Sequence, residues 1–211
     1  MSESIDRTII VGAGVMGLCT AYYLLKSGRE VVILDRGDEQ SGNCSMGNAG
    51  MVVPSHFTPL AAPGMMAKGL RWMFDRRSPF YVRPRPSLEL LRWGWLFHRH
   101  STAHHVRKVS PILRDLNLES RALFAELQAE EDFGLRQRGL LMLCKTAKGL
   151  DEEAEIAETA HRLGLKAEVL DAAGAAALDP GITMDIQGAV HFPDDCHMDP
   201  AAFMRSLRKR I

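Results

Sequence analysis

Three short runs decide the fold: Arg7-Thr-Ile-Ile-Val11, Gly12-Ala-Gly14-Val-Met-Gly17 and Glu30-Val-Val-Ile-Leu-Asp35. The first and third are apolar, β-branched runs of the kind that form buried parallel strands. Between them Val15 to Ser27 carries Met16, Cys19, Tyr23 and Leu24 at helical spacing, and Gly28 stands where a glycine ends a helix. Strand, glycine turn, helix and strand in that order are a βαβ unit. Each glycine has its own reason: Gly12 permits the turn off the strand, Gly14 leaves room for a diphosphate against backbone N–H groups, and Gly17 lets helix and strand approach. The helix N-terminus adds partial positive charge. Asp35 follows Gly14 by 21 residues, the position from which a carboxylate accepts hydrogen bonds from an adenosine ribose. The unit is therefore expected to bind a dinucleotide.

Beyond Asp35 the sequence departs from a nicotinamide-binding domain, which continues with closely spaced strands and helices. Arg36 opens a polar, small-residue segment that runs to Met51, and a proline-rich stretch follows. Such a backbone suits an extended cofactor, with Ser45, Asn48 and the amides of Ala49, Gly50 and Met51 as donors. This favours FAD. A surface loop is the bland alternative on composition, and an NAD(P)-dependent dehydrogenase is another, because Asp35 could also hold a nicotinamide ribose. The residues expected to hold the cofactor are Val11, Gly12, Ala13, Gly14, Val15, Met16, Gly17, Asp35, Arg36, Ser45, Asn48, Ala49, Gly50 and Met51.

The remainder of the 211 residues is ordinary in composition, with 26 basic and 26 acidic residues and 46% hydrophobic ones. Zero net charge supplies no long-range field for nucleic acid. The four cysteines, Cys19, Cys44, Cys144 and Cys196, form no CxxC pair, and Glu3 and Asp6 replace the basic start of a signal peptide, so a reducing cytoplasm is expected. Charge is nevertheless uneven. Between Lys68 and Lys108 stand ten Lys and Arg residues, Arg76 and Arg77 among them, against Asp75 and Glu89 alone, and all three Trp residues lie in the same stretch. Cations interleaved with indoles suit a membrane surface. The bland alternative is a helical excursion that packs its Trp inward and solvates its Arg.

Further on, Ser110-Pro111 has the form of an N-cap and first helical residue, followed by an amphipathic helix to about Glu131. Strands are expected at 139–144, 167–170 and 187–192, with an acid-rich helix after Thr146, making a scaffold outside the nucleotide unit. His191, Asp194, Asp195, Cys196, His197 and Asp199 crowd together, but strand-end and cap roles account for most of them, and no metal site is expected. His56, just after Pro54, is expected to be a loop histidine with a structural hydrogen bond, the alternative being an approach to the flavin or substrate.

The sequence resembles the FAD-dependent D-amino acid dehydrogenases of the wider D-amino acid oxidase and glycine oxidase group. The resemblance rests on IIVGAGVMG, on LDR after the second strand, and above all on SMGNAGMVVPSHFTPLAAPGMMAKGLRWMF. It continues through SPFYVRPRPSLELLRWGW and GAVHFPDDCHMDPAAF, so it spans almost the whole chain. It implies FAD as cofactor, a D-amino acid as substrate, hydride transfer from Cα–H to flavin N5, and hydrolysis of the imine to a 2-oxo acid and ammonia. It also implies an electron acceptor in a membrane quinone chain and a peripheral place on the inner face of the cytoplasmic membrane.

The expected architecture is α/β: a Rossmann-type FAD-binding βαβ unit plus part of a mixed or antiparallel substrate domain of α+β type. Residues 1–60 would be the N-terminal part of the FAD domain, 61–192 a helical excursion and partial substrate domain, and 193–211 a crossover helix returning to the FAD domain. A third parallel strand is expected after that helix and is not in the sequence. The chain is accordingly expected to be an N-terminal portion of a longer flavoenzyme, inactive alone. The alternative is a non-catalytic, complementing subunit that needs a second polypeptide to complete the flavin site. The sequence assigns no general acid or base.

Overall fold

The computed structural model describes residues 7–37, 44–75, 78, 81–83 and 85–211. Glu3, Asp6, Arg76 and Arg77, named above, lie outside them. The βαβ unit forms as the sequence dictates. Strand β1 (Arg7–Val11) pairs in parallel with β2 (Glu30–Leu34), Arg7 opposite Glu30 and Val11 opposite Leu34. Helix α1 (Val15–Lys26) connects them and covers one sheet face, with Ile33 packed against the cluster that holds Leu18 and Tyr22. Gly28, at φ +82°, ends the helix in the left-handed region, as a C′ glycine should.

The pleat puts Ile9, Val11, Val32 and Leu34 on the opposite face, as two facing pairs. All four are exposed, Val11 to 86%. A parallel sheet ordinarily has both faces covered. Here only one is.

After the Gly-rich segment, β3 (Met51–Val52) pairs antiparallel with β7 (Cys196–His197), so the chain just after the nucleotide unit is pinned to the segment just before the last helix. Helices α2 (Met65–Met73) and α3 (Leu88–His100) follow, and neither buries a residue. Helix α4 (Ala103–Glu130) corrects the expected start at Ser110: Thr102 is the N-cap, its hydroxyl accepting from the His105 N–H at 3.2 Å. The helix runs straight through Pro111, which has no N–H to give the Arg107 carbonyl. Ser110 is buried, and its hydroxyl has no partner among the described residues.

A second layer is antiparallel, in the order β4 (Leu140–Cys144), β6 (Gly188–Phe192), β5 (Glu168–Asp171). Helix α5 (Ala147–Arg162) packs on it and α6 (Ala172–Leu178) closes it; α6 was not expected as a separate element. Helix α7 (Pro200–Lys209), capped by the Asp199 carboxylate accepting from the Ala202 N–H, packs on α1. The core between them is aromatic: the Phe203 ring lies 4.8 Å from that of Phe133 and 5.0 Å from that of Phe124. A polar seam runs beside it, where Glu130 accepts from Tyr22 of α1 at 3.0 Å and from Arg210 at 2.6 Å.

Candidate dinucleotide site

The site grows out of the β1–α1 turn. Gly12 has φ +108°, a conformation closed to side chains with a Cβ, and its N–H donates to the Leu34 carbonyl at 2.7 Å, holding the turn to β2. A Cβ on Gly17 would lie 1.9 Å from the Gly12 carbonyl oxygen, so helix and turn can touch only if residue 17 is glycine. Gly14, the N-cap of α1, has no side chain with which to cap the helix. Instead the Ser45 hydroxyl accepts from the Val15 N–H at 3.0 Å, bringing the later loop to the helix N-terminus. A Cβ on Gly14 would stand 3.2 Å from the same hydroxyl and narrow the opening.

Asp35 closes the other side. Its carboxylate accepts from the Ala13 N–H at 2.5 Å and from the Gly37 N–H at 2.8 Å. These bonds, the Ala13 one foremost, hold its carboxyl below the usual aspartate range. It stays anionic and exposed at the glycine turn, with Arg36 exposed beside it. Val11 and Met16 flank the turn and are also exposed.

The segment 44–51 is organised by Asn48. Its amide group donates to the Cys44 and Ser45 carbonyls at 3.0 and 3.1 Å, while its oxygen accepts from the Gly50 N–H at 2.8 Å. Asn48 therefore shapes the loop from within, and the Gly50 amide is spent there as well. Gly50 has φ +64°, and a Cβ on it would lie 2.1 Å from the Met198 carbonyl oxygen. Its own carbonyl accepts from the Met198 N–H at 2.9 Å, so β3–β7 pairing continues into the turn. Ala49 is exposed, and Met51 faces His197 in the β3–β7 ladder.

Sequence reasoning missed a second anchor. Asp195 is buried, yet its carboxylate accepts from the Ser55 N–H at 3.0 Å and from the Ser55 hydroxyl at 2.6 Å. Burial is the largest influence on it and pushes its carboxyl above the usual range. The Ser55 hydroxyl also lies 3.2 Å from His56 Nδ1, the structural hydrogen bond expected of that histidine. Asp195 thus fixes the end of the segment that leaves the site. The only sequence signal was the acid's place in the crowded 191–199 run. The others of that run are dispersed: Cys196 Sγ donates to the Val52 carbonyl at 3.5 Å, and Asp199 caps α7.

An ADP-bearing dinucleotide fits this set. A glycine opening that a Cβ would narrow, a helix N-terminus without a cap of its own residue, and an anionic carboxylate at the turn are what a diphosphate joined to a ribose needs.

The family profile described as DAO, FAD dependent oxidoreductase, matches residues 7–211. Two curated relatives are D-amino acid dehydrogenases: that of Granulibacter bethesdensis is 36% identical over 96% of this chain and 50% of its own, and that of Rhizorhabdus wittichii is 35% identical over 95% and 50%. The chain spans about half the length of the curated relatives it matches. Among solved structures, glycine oxidase from Geobacillus kaustophilus superposes with a TM-score of 0.64 at 21% identity, covering 97% of this chain and 43% of that one. L-Proline dehydrogenase from P. horikoshii gives 0.61 at 16%, covering 100% and 42%. These likenesses establish the α/β fold. With the profile match over nearly its whole length, the chain belongs to the DAO family of FAD-dependent oxidoreductases.

Proposed function

We propose that this chain is the FAD-binding part of an enzyme that oxidises the CH–NH2 group of a D-amino acid to a 2-oxo acid and ammonia. The observation that carries the reading is the glycine turn clasped between Asp35 and Ser45. In this reading Val11 to Gly17 receive the diphosphate, Asp35 takes the adenosine ribose with Arg36 beside it, and Ser45 and 48–51 line the ribityl and flavin side. When bound, FAD supplies the two-electron acceptor for the substrate's Cα–H. The chain's own residues bind and orient. Asn48 and Asp195 hold the lining segment in shape, and catalysis by this portion is a matter of positioning and water exclusion. The D-amino acid assignment is supported by the names of the curated relatives. The acceptor we propose is a membrane-held quinone.

The same reading assigns 1–60 and 193–211 to the FAD domain and 61–192 to a helical excursion with part of a substrate domain. It is supported by α7 packing on α1. The bare face of Ile9, Val11, Val32 and Leu34 favours a second element of the proposal: further polypeptide, in cis or in trans, covers this sheet and completes the flavin site. The test is reconstitution. Purified chain, joined to or mixed with the second half of a D-amino acid dehydrogenase and loaded with FAD, should show oxidised-flavin bands that D-alanine bleaches anaerobically and L-alanine does not. Bleaching by neither isomer, in a sample with flavin bound, overturns the substrate assignment. Titration with NADH, read by its fluorescence, should show no binding.

A further inference from the structure

We propose that His100 and His105 form a two-histidine site for a borderline divalent transition-metal ion such as Zn2+. The run from His98 through His100 and His104 to His105 holds four of the chain's eight histidines, the kind of tract that binds metal when the fold brings its rings together. It spans the corner between α3 and α4. Only Ser101, the C-cap of α3, and Thr102, the N-cap of α4, stand between the two helices. Thr102 holds both histidine backbones: its N–H donates to the His100 carbonyl at 2.8 Å, and its hydroxyl accepts from the His105 N–H at 3.2 Å. Ser101 fixes the end of α3, its N–H donating to the His98 carbonyl at 3.1 Å and its hydroxyl to the Phe97 carbonyl at 2.7 Å. Across this pinned corner the His100 and His105 rings meet, with centroids 5.1 Å apart and planes inclined at 60°.

Helix electrostatics account for only part of the run. His98, Arg99 and His100 stand in the last turn of α3, where positive charge suits the carbonyl end. His105 stands in the first turn of α4, where it does not. Among the described residues no hydrogen bond or ion pair engages either the His100 or the His105 ring. Their spacing suits a shared ion. An imidazole nitrogen on zinc at about 2.0–2.1 Å sets its ring centroid roughly 3.2 Å from the metal. Centroids 5.1 Å apart then subtend about 105° at the ion, close to the tetrahedral angle. The corner offers nitrogen alone, because no Asp or Glu stands between Glu89 and Asp115. That selects zinc, nickel or copper over calcium and magnesium, which take oxygen ligands. The Arg99 guanidinium lies 5.4 Å over the Trp95 ring, back along α3 from the corner. No group of three or more metal-ligating side chains is assembled among the described residues, so water fills the ion's other positions. His100 is exposed and His105 half-buried, which leaves solvent that access. Binding at this corner needs neither flavin nor substrate.

Calorimetric titration of the untagged chain with zinc chloride should reveal one equivalent that the His100→Gln/His105→Gln variant lacks. Each single substitution should weaken that equivalent by more than the ~10-fold that losing an outer-shell partner costs. His104→Gln, which removes the neighbouring exposed histidine, should bind as the parent does, and magnesium chloride should give no such equivalent. Zinc should raise the melting temperature of the parent and of His104→Gln, and leave that of the double variant unchanged. Without zinc all of them should melt together, since the altered rings make no hydrogen bond among the described residues. Three results overturn the proposal: no zinc bound by the parent, zinc bound equally by the parent and the double variant, or a loss in His104→Gln as large as that in His105→Gln.

Discussion

Gly17 and Asp35 occupy sites where one atom decides the outcome. In Gly17→Ala the new Cβ would meet the Gly12 carbonyl at 1.9 Å, and that atom is backbone, so the turn itself must move. We expect FAD affinity to fall at least about 100-fold, an equivalent of ~2.7 kcal/mol, read as lost quenching of flavin fluorescence on titration. Asp35→Ala removes a charged acceptor and leaves the Ala13 N–H unpaired, and should weaken FAD by roughly 10- to 100-fold. Asp195 is a different case. Its folded pKa lies above its unfolded value of ~3.9, so its contribution to stability is full below that pH and is lost as pH rises through the raised value. Asp195→Asn is neutral throughout, and its amide can still accept from the Ser55 N–H and donate to the Ser55 hydroxyl. The melting temperature of this variant relative to the parent should therefore climb as pH rises from about 4 through the raised value and then level off. Parallel profiles would deny the carboxylate its buried, costly charge.

At the scale of elements, local signals with a fixed physical cause were legible and long-range partners were not. The βαβ unit could be read because the glycines, the helix and the terminal acid each have a geometric reason within a few residues. Asp199 announced its helix by capping chemistry, and the structure shows that cap together with one from Thr146, the residue after which the acid-rich helix was expected. Ser110-Pro111 carried the same signal and misled, because a proline nine residues into α4 is tolerated once Thr102 has already opened the helix. The β3–β7 pair, two residues a side, has no periodicity to detect and depends on segments 144 residues apart meeting. In the candidate site, Asp35 was legible by spacing. Asn48 could be named but its job could not, since its partners are carbonyls of its own loop. Helix-to-helix packing was also beyond reach: nothing local marks Phe203 as the ring that joins α7 to Phe124 and Phe133. Its burial makes it the strongest single test of that joint. Phe203→Ala should cost ~3–5 kcal/mol, measured by denaturant unfolding, whereas truncation of the exposed Leu178 at the end of α6 should be nearly neutral.

Across the whole molecule, apolar surface is distributed unequally, and the distribution separates what the chain does alone from what it does in company. The buried clusters lie between α1, α4 and α7 and between α5 and the antiparallel sheet, with Phe57 locked into the latter. The face of Ile9 and Val32, by contrast, is bare, and these residues face each other across the β1–β2 pair. Replacing both with lysine removes no buried contact, so the Ile9→Lys/Val32→Lys chain should melt within a few degrees of the parent; surface changes of this kind are usually worth no more than about 0.5 kcal/mol. If further polypeptide covers this face, the same two lysines become buried charges without partners, whose penalty is several kcal/mol each on the scale of ~3 to 5 for an uncompensated buried ion. Reconstitution with the second half of a D-amino acid dehydrogenase should then fail for the variant and succeed for the parent, with flavin retained on a desalting column as the measure. A variant that retains flavin as well as the parent would show that this face stays open in the assembled protein, and the sheet would have to be completed along its edges alone.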